Sequence, residues 1–135
     1  MACGSGGMLS TTHDYIKRMN PDAQIRLFGQ ENNEESYAIC LADMLIKGQS
    51  AENIRFQDTL KKDCFENQDM RYVIANPPFG QPWGGKDAGD GVEKAVRDEY
   101  KKGKNGRFAA GLPATGDMQL LFMQHAISKM DRRNG

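Results

Sequence analysis

Asn76-Pro77-Pro78-Phe79 is the segment of this sequence whose residue types come nearest to dictating a chemistry. It follows Arg71-Tyr72-Val73-Ile74-Ala75, a β-branched and aromatic run that predicts a strand. Ligands in open α/β sheets sit at the carboxyl ends of strands. Proline after Asn76 disfavours helical backbone at the asparagine and holds it extended. Two successive prolines fix two φ angles and remove two backbone donors. The result is a stiff segment presenting an amide side chain, free carbonyls and an aromatic ring. Such a set can accept hydrogen bonds from an exocyclic amine while the ring stacks on the heterocycle bearing it. A plain strand-ending turn is the competing reading, because Asn-Pro pairs mark turns.

A second group of candidates is spread over the first 58 residues. Met1–Gly7 reads MACGSGG, a glycine-rich turn that includes Cys3 and Ser5. Gly4, Gly6 and Gly7 let backbone approach a ligand closely and can open a helix whose amide end favours an anionic group. A flexible terminus is the alternative. Glu31 lies about two dozen residues further on, where a doubly wound fold places a carboxylate on ribose hydroxyls. A solvated charge at a helix start is the other reading. Asp58, after the next short strand, can accept from an amino group or simply form a turn.

Other reactive side chains carry less. His13 and His125 lie on predicted helices without a second ligand at metal spacing, which points to structural or surface roles and to no metal site. Cys3 has no histidine partner in its turn, which argues against a nucleophile. Lys101, Lys102, Lys104 and Arg107 form a basic cluster that suits either a nucleic-acid backbone or a solvated charged face. Trp83, in the Gly/Pro-rich stretch 80–91, either helps hold a stacked ligand or anchors its loop.

The elements that must position these residues follow from periodicity and punctuation. A helix is expected over 8–20, with Thr11 or Thr12 as cap, then a turn at Asn20-Pro21-Asp22 and a short strand over 25–29. A second helix is expected over 33–47, capped by Asn32 with Glu35, with Tyr37, Ala38, Leu41, Met44 and Leu45 on one face and Gly48 as its stop. Strands follow at 53–57 and 71–75, an irregular loop at 80–91 and a charged helix at 92–102. After a loop over 103–116, Asp117 caps a last helix over 118–131 that offers Met118, Leu121, Phe122, Ile127 and Met130 for burial. This alternation predicts an α/β domain with a mainly parallel sheet covered on both faces. Glycine turns of this kind come directly after a strand, and no such strand precedes Met1.

Lys+Arg and Asp+Glu both number 18, for a formal net charge of zero. A module gripping nucleic acid alone carries a basic excess, so such a grip is expected from another domain or subunit. Cys3, Cys40 and Cys64 are odd in number and far apart, which argues for a reducing cytosol and against a disulfide framework or zinc site. No apolar run reaches membrane-spanning length and no leader is evident.

Taken together, the segments resemble the modification subunits of type I restriction–modification systems. MACGSGG is similar to that family's Asp-Pro-Ala-Cys-Gly-Ser-Gly-Gly cofactor motif, with Met1 in place of the proline and the aspartate absent. LFGQE, SYAICLADMLIKG, NPPFG and GRFAAGLPATGDMQLLFMQHAISKM extend the likeness along nearly the whole chain. The resemblance implies a Rossmann-like, S-adenosylmethionine-dependent methyltransferase fold, truncated, without its first central strand and C-terminal strands. Residues 1–135 would then be a partial catalytic domain. It implies methylation of adenine N6 in double-stranded DNA, on a base flipped out of the duplex, in a cytoplasmic complex with a specificity subunit and possibly an endonuclease subunit. By the same resemblance Asn76, Pro77, Pro78 and Phe79 are catalytic, and Cys3, Gly4, Ser5, Gly6, Gly7, Glu31 and Asp58 bind the cofactor. The competing readings are a non-catalytic truncated remnant without independent activity, a nucleotide-binding dehydrogenase, and a protein glutamine methyltransferase. The last usually has tyrosine where Phe79 stands. The isolated chain is expected to bind the cofactor poorly and to be inactive.

Overall fold

The first helix is capped at Gly6, not at Thr11 or Thr12. In the computed structural model, which describes residues 2–133, helix α1 spans Gly7–Met19. Met1, and with it the expectation that it replaces a motif proline, lies outside the described residues. Gly6 is left-handed, with φ +79°, and no side chain caps the helix. Its Ser10 N–H bonds the Gly6 carbonyl at 3.0 Å, so the glycine turn feeds straight into helix. A Cβ at Gly6 would lie 2.6 Å from Cys40 Sγ.

The chain divides into two compact units, residues 2–59 with 74–76, and residues 60–73 with those from 77 onward. In the first unit, α1 is followed by strand β1 (Gly29–Glu31), helix α2 (Glu34–Ile46) and strand β2 (Ile54–Phe56). The strands pair in parallel, Gly29 with Ile54 and Glu31 with Phe56. Ala2 pairs in parallel with Gln30 on β1, so the residue just before the glycine turn already lies alongside this strand. The expected strand at 25–29 therefore sits four residues later, because pairing with β2 and Ala2 selects Gly29–Glu31 over the more hydrophobic Ile25–Phe28.

Helix α2 is capped by Asn33, whose side chain accepts from Ser36 N–H at 2.8 Å, rather than by Asn32. Its inward face is Cys40 and Met44, with Tyr37 and Leu41 packed beside them; Leu45, expected on that face, is 71% exposed. Cys40, Met44 and Ile54 form the centre of this unit's core, against which Cys3, Leu9 and Leu27 pack. Burying each such apolar side chain stabilises the unit by about 1.5–3 kcal/mol.

The predicted strand over 71–75 does not form. Residues 72–78 carry no regular structure, and among the described residues no strand pairs with them. β-propensity reflects packing against neighbouring strands, so a β-branched run without one forms no ladder. Only Met70, at its start, pairs in parallel with Met130.

In the second unit, the Gly/Pro stretch is irregular as expected and leads into helix α3 (Val92–Lys101) and a single tight turn at Gly103–Asn105. Helix α4 (Met118–Lys129) buries Met118, Leu121 and Phe122 as predicted. Its remaining inward positions are His125 and Lys129, while Ile127 is 63% exposed. Asp117 stands at the helix start without making a side-chain cap. Trp83 is buried and donates from Nε1 to the Ala114 carbonyl at 3.0 Å, so it anchors its loop.

A buried ionic group replaces the missing ladder in holding residues 60–70. Lys129 Nζ lies 2.9 Å from Asp63 Oδ2 and also donates to the Phe65 carbonyl. Arg107 donates to the Leu60 carbonyl at 3.1 Å and faces His125 Nδ1 at 3.3 Å. Burial, then the Arg107 charge, push the His125 pKa down to about 3. Burial raises the Asp63 carboxyl, but hydrogen bonds from Lys129 and the Phe65 N–H outweigh it, and the net shift is downward. Below pH about 6.5 the unfolded chain protonates its histidine and the folded one does not, so stability falls with pH. Asp63 adds a loss of the same sign as pH drops below the ordinary carboxylate range. Urea unfolding between pH 7 and 4 is expected to show a slope of up to about 1.4 kcal/mol per pH unit. His125→Gln should flatten it above pH 5; an unchanged slope in that variant would refute the assignment.

Candidate active site

Glu31 ends β1 and is buried, with 6% of its surface exposed. Its Oε1 accepts from the N–H groups of Asn32 and Asn33, both at 2.9 Å, and its Oε2 from Gly4 N–H at 2.8 Å. Cys3 N–H bonds the Gln30 carbonyl at 2.9 Å. The glycine turn is thus moored along the end of β1 by one backbone bond and one carboxylate bond. A carboxylate offers about four lone-pair directions. Three are filled by backbone donors, leaving one on Oε2 beside the turn.

Gly4 is left-handed at φ +54°, and a Cβ there would meet nothing within 4 Å. The space over the turn is therefore open on its outer side. On its inner side the turn is tightly packed: a Cβ at Gly29 would come within 2.9 Å of Cys3 Sγ. Cys3 itself points into the core, and burial, followed by repulsion from Cys40, pushes its thiol up to about 12. The thiol is neutral near pH 7, in keeping with a packing role. Ser5 and Gly7 are exposed on the same turn.

Asp58 follows β2 and is partly exposed. The Asn32 amide donates to its Oδ2 at 3.5 Å, the outer limit of a hydrogen bond. Asn32 therefore stands between the two carboxylates, touching Glu31 through its backbone and Asp58 through its side chain. Phe56, 53% exposed at the end of β2, lies against Tyr37 of α2 with ring centroids 5.3 Å apart. From sequence Asn32 has only a capping role and Tyr37 only a place on a helix face, with no part in the site; their position beside the strand-end carboxylates is the signal that points to one.

Asn76 belongs to the same compact unit as the turn, Glu31 and Asp58. Its side chain is exposed, and Ile74 before it is 43% exposed. Pro77, Pro78 and Phe79 belong to the other unit, with the Phe79 ring 69% exposed. The tetrapeptide is thus the covalent passage from one unit to the other. The basic cluster is largely committed to ion pairs: Lys101 with Asp98 at 2.9 Å, Lys102 with Glu99 at 2.8 Å, and Arg107 inside the second unit. Lys104, the remaining member of the cluster, is exposed. His13 contacts Asp14 and Gln49, and His125 is buried beside Arg107. Among the described residues, no group of three or more His, Cys, Asp or Glu is placed to hold a metal ion.

A family model described as N-6 DNA Methylase matches residues 1–135. The chain belongs to this family. Type I restriction enzyme methylase subunits are among its relatives. The MjaIX subunit of Methanocaldococcus jannaschii is 32% identical over 79 residues, which is 58% of this chain and 14% of that protein. The EcoEI subunit of Escherichia coli is 29% identical over 102 residues, 69% of this chain and 20% of that protein. The crystal structure of a type I restriction-modification system methyltransferase subunit from Streptococcus thermophilus matches with a TM-score of 0.73 at 26% identity, over 99% of this chain and 26% of that one. The chain thus shares the Rossmann-like α/β fold of such subunits and spans 14% to 26% of the length of these relatives. No helix among the described residues is long and apolar enough to cross a membrane.

Two substitutions separate the packing role of the turn from its exposed side. Gly6→Ala forces a Cβ onto Cys40 and is expected to destabilise by about 1–3 kcal/mol. Gly4→Ala carries only left-handed strain, about 1 kcal/mol. Glu31→Gln turns an amide N–H toward at least one backbone donor and is expected to cost about 1–3 kcal/mol. Urea midpoints check all three, and equal losses at Gly4 and Gly6 would overturn the packing argument.

Proposed function

We propose that this chain is part of the catalytic domain of a type I modification subunit that methylates adenine N6 in DNA, with S-adenosylmethionine as donor. The observation that carries the proposal is that Asn76 shares one compact unit with a glycine turn hydrogen-bonded to a strand-end carboxylate. Family membership and relatives that are methylase subunits support it. The open side of Gly4, the last free lone pair of Glu31 and the neighbouring Asp58 fit a ligand with backbone-accessible polar groups, ribose hydroxyls and a heterocyclic amine. In this reading the Gly4–Gly7 turn, with Cys3 and Ser5, holds the methionine end, Glu31 the ribose and Asp58 the adenine of the donor.

When bound, S-adenosylmethionine supplies a methyl group on a positively charged sulfur. The chain's own residues present the acceptor. An adenine must leave the duplex to be reached, at a cost of a few kcal/mol. The exposed Phe79 ring stacks on it and returns about 1–3 kcal/mol. Asn76 Oδ1 and the Pro77 carbonyl accept the two N6 hydrogens, which draws the nitrogen lone pair out of ring conjugation and toward the methyl. The amine would give up one of these protons to solvent, so no strong base would be needed among the chain's own residues. Positioning supplies most of the rate.

The zero net charge and the paired lysines on α3 leave little free cation for phosphates. DNA grip and target choice are accordingly assigned to a partner, a specificity subunit, in a cytoplasmic complex. In a modification complex containing this chain, Asn76→Ala is expected to lower N6-methyladenine formation by about 100-fold or more. Donor affinity, measured by calorimetry, should change less than about twofold because Asn76 serves the base. A variant that keeps activity, or loses donor binding in parallel, would sink the assigned role.

A further inference from the structure

His13 and Asp14 on α1 meet Gln49, 36 residues from the histidine, where the chain leaves α2. Their polar atoms form a nearly equilateral triangle. His13 Nδ1 lies 3.1 Å from Asp14 Oδ1, and Gln49 Nε2 lies 3.1 Å from each. The backbone fixes Gln49 there: Gly48, left-handed at φ +65°, stops α2, and the Gln49 N–H bonds the Met44 carbonyl at 2.8 Å. Gln49 is 6% exposed, and its Oε1 is buried without a hydrogen-bond partner. Asp14 opens the opposite corner to solvent. Among the described residues no lysine or arginine neutralises it: Lys17 donates to the Pro21 carbonyl, and Lys47 to Ser10 and Asp43.

As a set of hydrogen bonds the triangle is incomplete. The Gln49 amide has two N–H groups, one for each neighbour. His13 Nδ1 and Asp14 Oδ1 then both accept, and no hydrogen lies between them although they are 3.1 Å apart. Two acceptors converging on one point, beside a buried amide oxygen that lacks a partner, suit a cation.

We propose that His13, Asp14 and Gln49 bind a divalent transition-metal ion, with His13 Nδ1, Asp14 Oδ1 and the Gln49 amide oxygen as its ligands. Half a turn about the last side-chain bond exchanges the amide nitrogen and oxygen. Oε1 then takes the third corner and meets a partner. Neighbouring ligands about 2.1 Å from an octahedral metal stand about 3.0 Å apart. The sides of the triangle, at 3.1 Å, match that spacing. One imidazole with two oxygen donors suits Ni²⁺, Co²⁺ or Zn²⁺, whereas Mg²⁺ keeps to oxygen. Water completes the coordination on the exposed Asp14 side. Spacing in the sequence offers His13 no such set, because the third ligand is an amide brought in by the end of α2. The ion clips α1 to that end, a role independent of the methyl-transfer reading.

Ni²⁺ alone, added to the 135-residue chain in a buffer free of chelators, is the probe. Calorimetry is expected to show single-site binding in the micromolar range, with Mg²⁺ failing to compete. In the unsubstituted chain the paramagnetic ion should broaden the amide resonances of His13, Asp14 and Gln49, and leave those around Cys64 and His125 sharp. His13→Ala and Gln49→Ala should each weaken binding about tenfold or more. Gln49→Glu separates metal binding from hydrogen bonding, since it sets a second carboxylate beside Asp14. Without metal it should lower Tm; with saturating Ni²⁺ it should gain more in Tm than the unsubstituted chain gains. No binding, broadening centred on Cys64 or His125, unchanged affinity in His13→Ala, or a Gln49→Glu variant that Ni²⁺ fails to stabilise would each overturn the proposal.

Discussion

The first unit depends on the burial of one carboxylate. An ionised group removed from water is strongly unfavourable unless its charge is met by hydrogen bonds. Glu31 is met by backbone N–H groups of Gly4, Asn32 and Asn33, which come from the glycine turn and from the residues leading into α2. Charge-assisted bonds of this kind are stronger than neutral ones. One side chain thereby fixes where α1 begins, where β1 ends and where α2 starts. The glycines answer the same demand from the other side. Gly6 and Gly29 lack the Cβ atoms that would push the turn off Cys40 and Cys3, so the Gly4 amide can come within 2.8 Å of the carboxylate.

The second unit solves a different problem. Residues 60–91 contain no helix and no extended strand pairing, so their polar backbone groups need other partners. Side chains supply many of them. Lys129 donates to the Phe65 carbonyl, Arg107 donates to the Leu60 carbonyl, and Glu93 accepts from the Gly85 N–H. The charges so buried are themselves paired, Lys129 with Asp63 and Arg107 near Glu99. Removing one member of such a pair costs more than the pair contributes, because the other charge is left uncompensated. This explains why α4 places a histidine and a lysine inward where a purely apolar stripe would have used Ile127 and Met130.

That substitution marks the boundary of what periodicity can reveal. The helices were legible because apolar spacing and glycine stops act locally: α1, α2, α3 and α4 lie within a few residues of expectation. Caps and strands were less so, since they depend on partners remote in sequence. Asn33 caps α2 instead of Asn32 because Glu31 takes the Asn32 N–H and sets the entry angle. β1 moved onto Gly29–Glu31 because Ala2 and β2 pair there. The run Arg71–Ala75 has every residue type of a strand but, among the described residues, no neighbouring strand to make it one. Of the candidate site, the turn and Glu31 are joined by a direct hydrogen bond that spacing could suggest but not prove, while the Asn32–Asp58 and Tyr37–Phe56 contacts join residues too remote in sequence for periodicity to pair.

The tetrapeptide shows why a stiff segment is useful at its position. Asn76 ends the piece of chain that belongs to the same compact unit as the turn and the strand-end carboxylates, and Pro77 begins the piece that belongs to the unit of α3 and α4. In the mechanism proposed above, backbone freedom at this point would let the Asn76 side-chain carbonyl and the Pro77 backbone carbonyl drift relative to each other. Two prolines remove that freedom by fixing φ at both positions, and proline after Asn76 keeps the asparagine extended even though no ladder holds it. Preorganisation normally supplied by a β-sheet is here built into covalent geometry. In the proposed mechanism, the two prolines are what would hold this pair of carbonyls without a ladder.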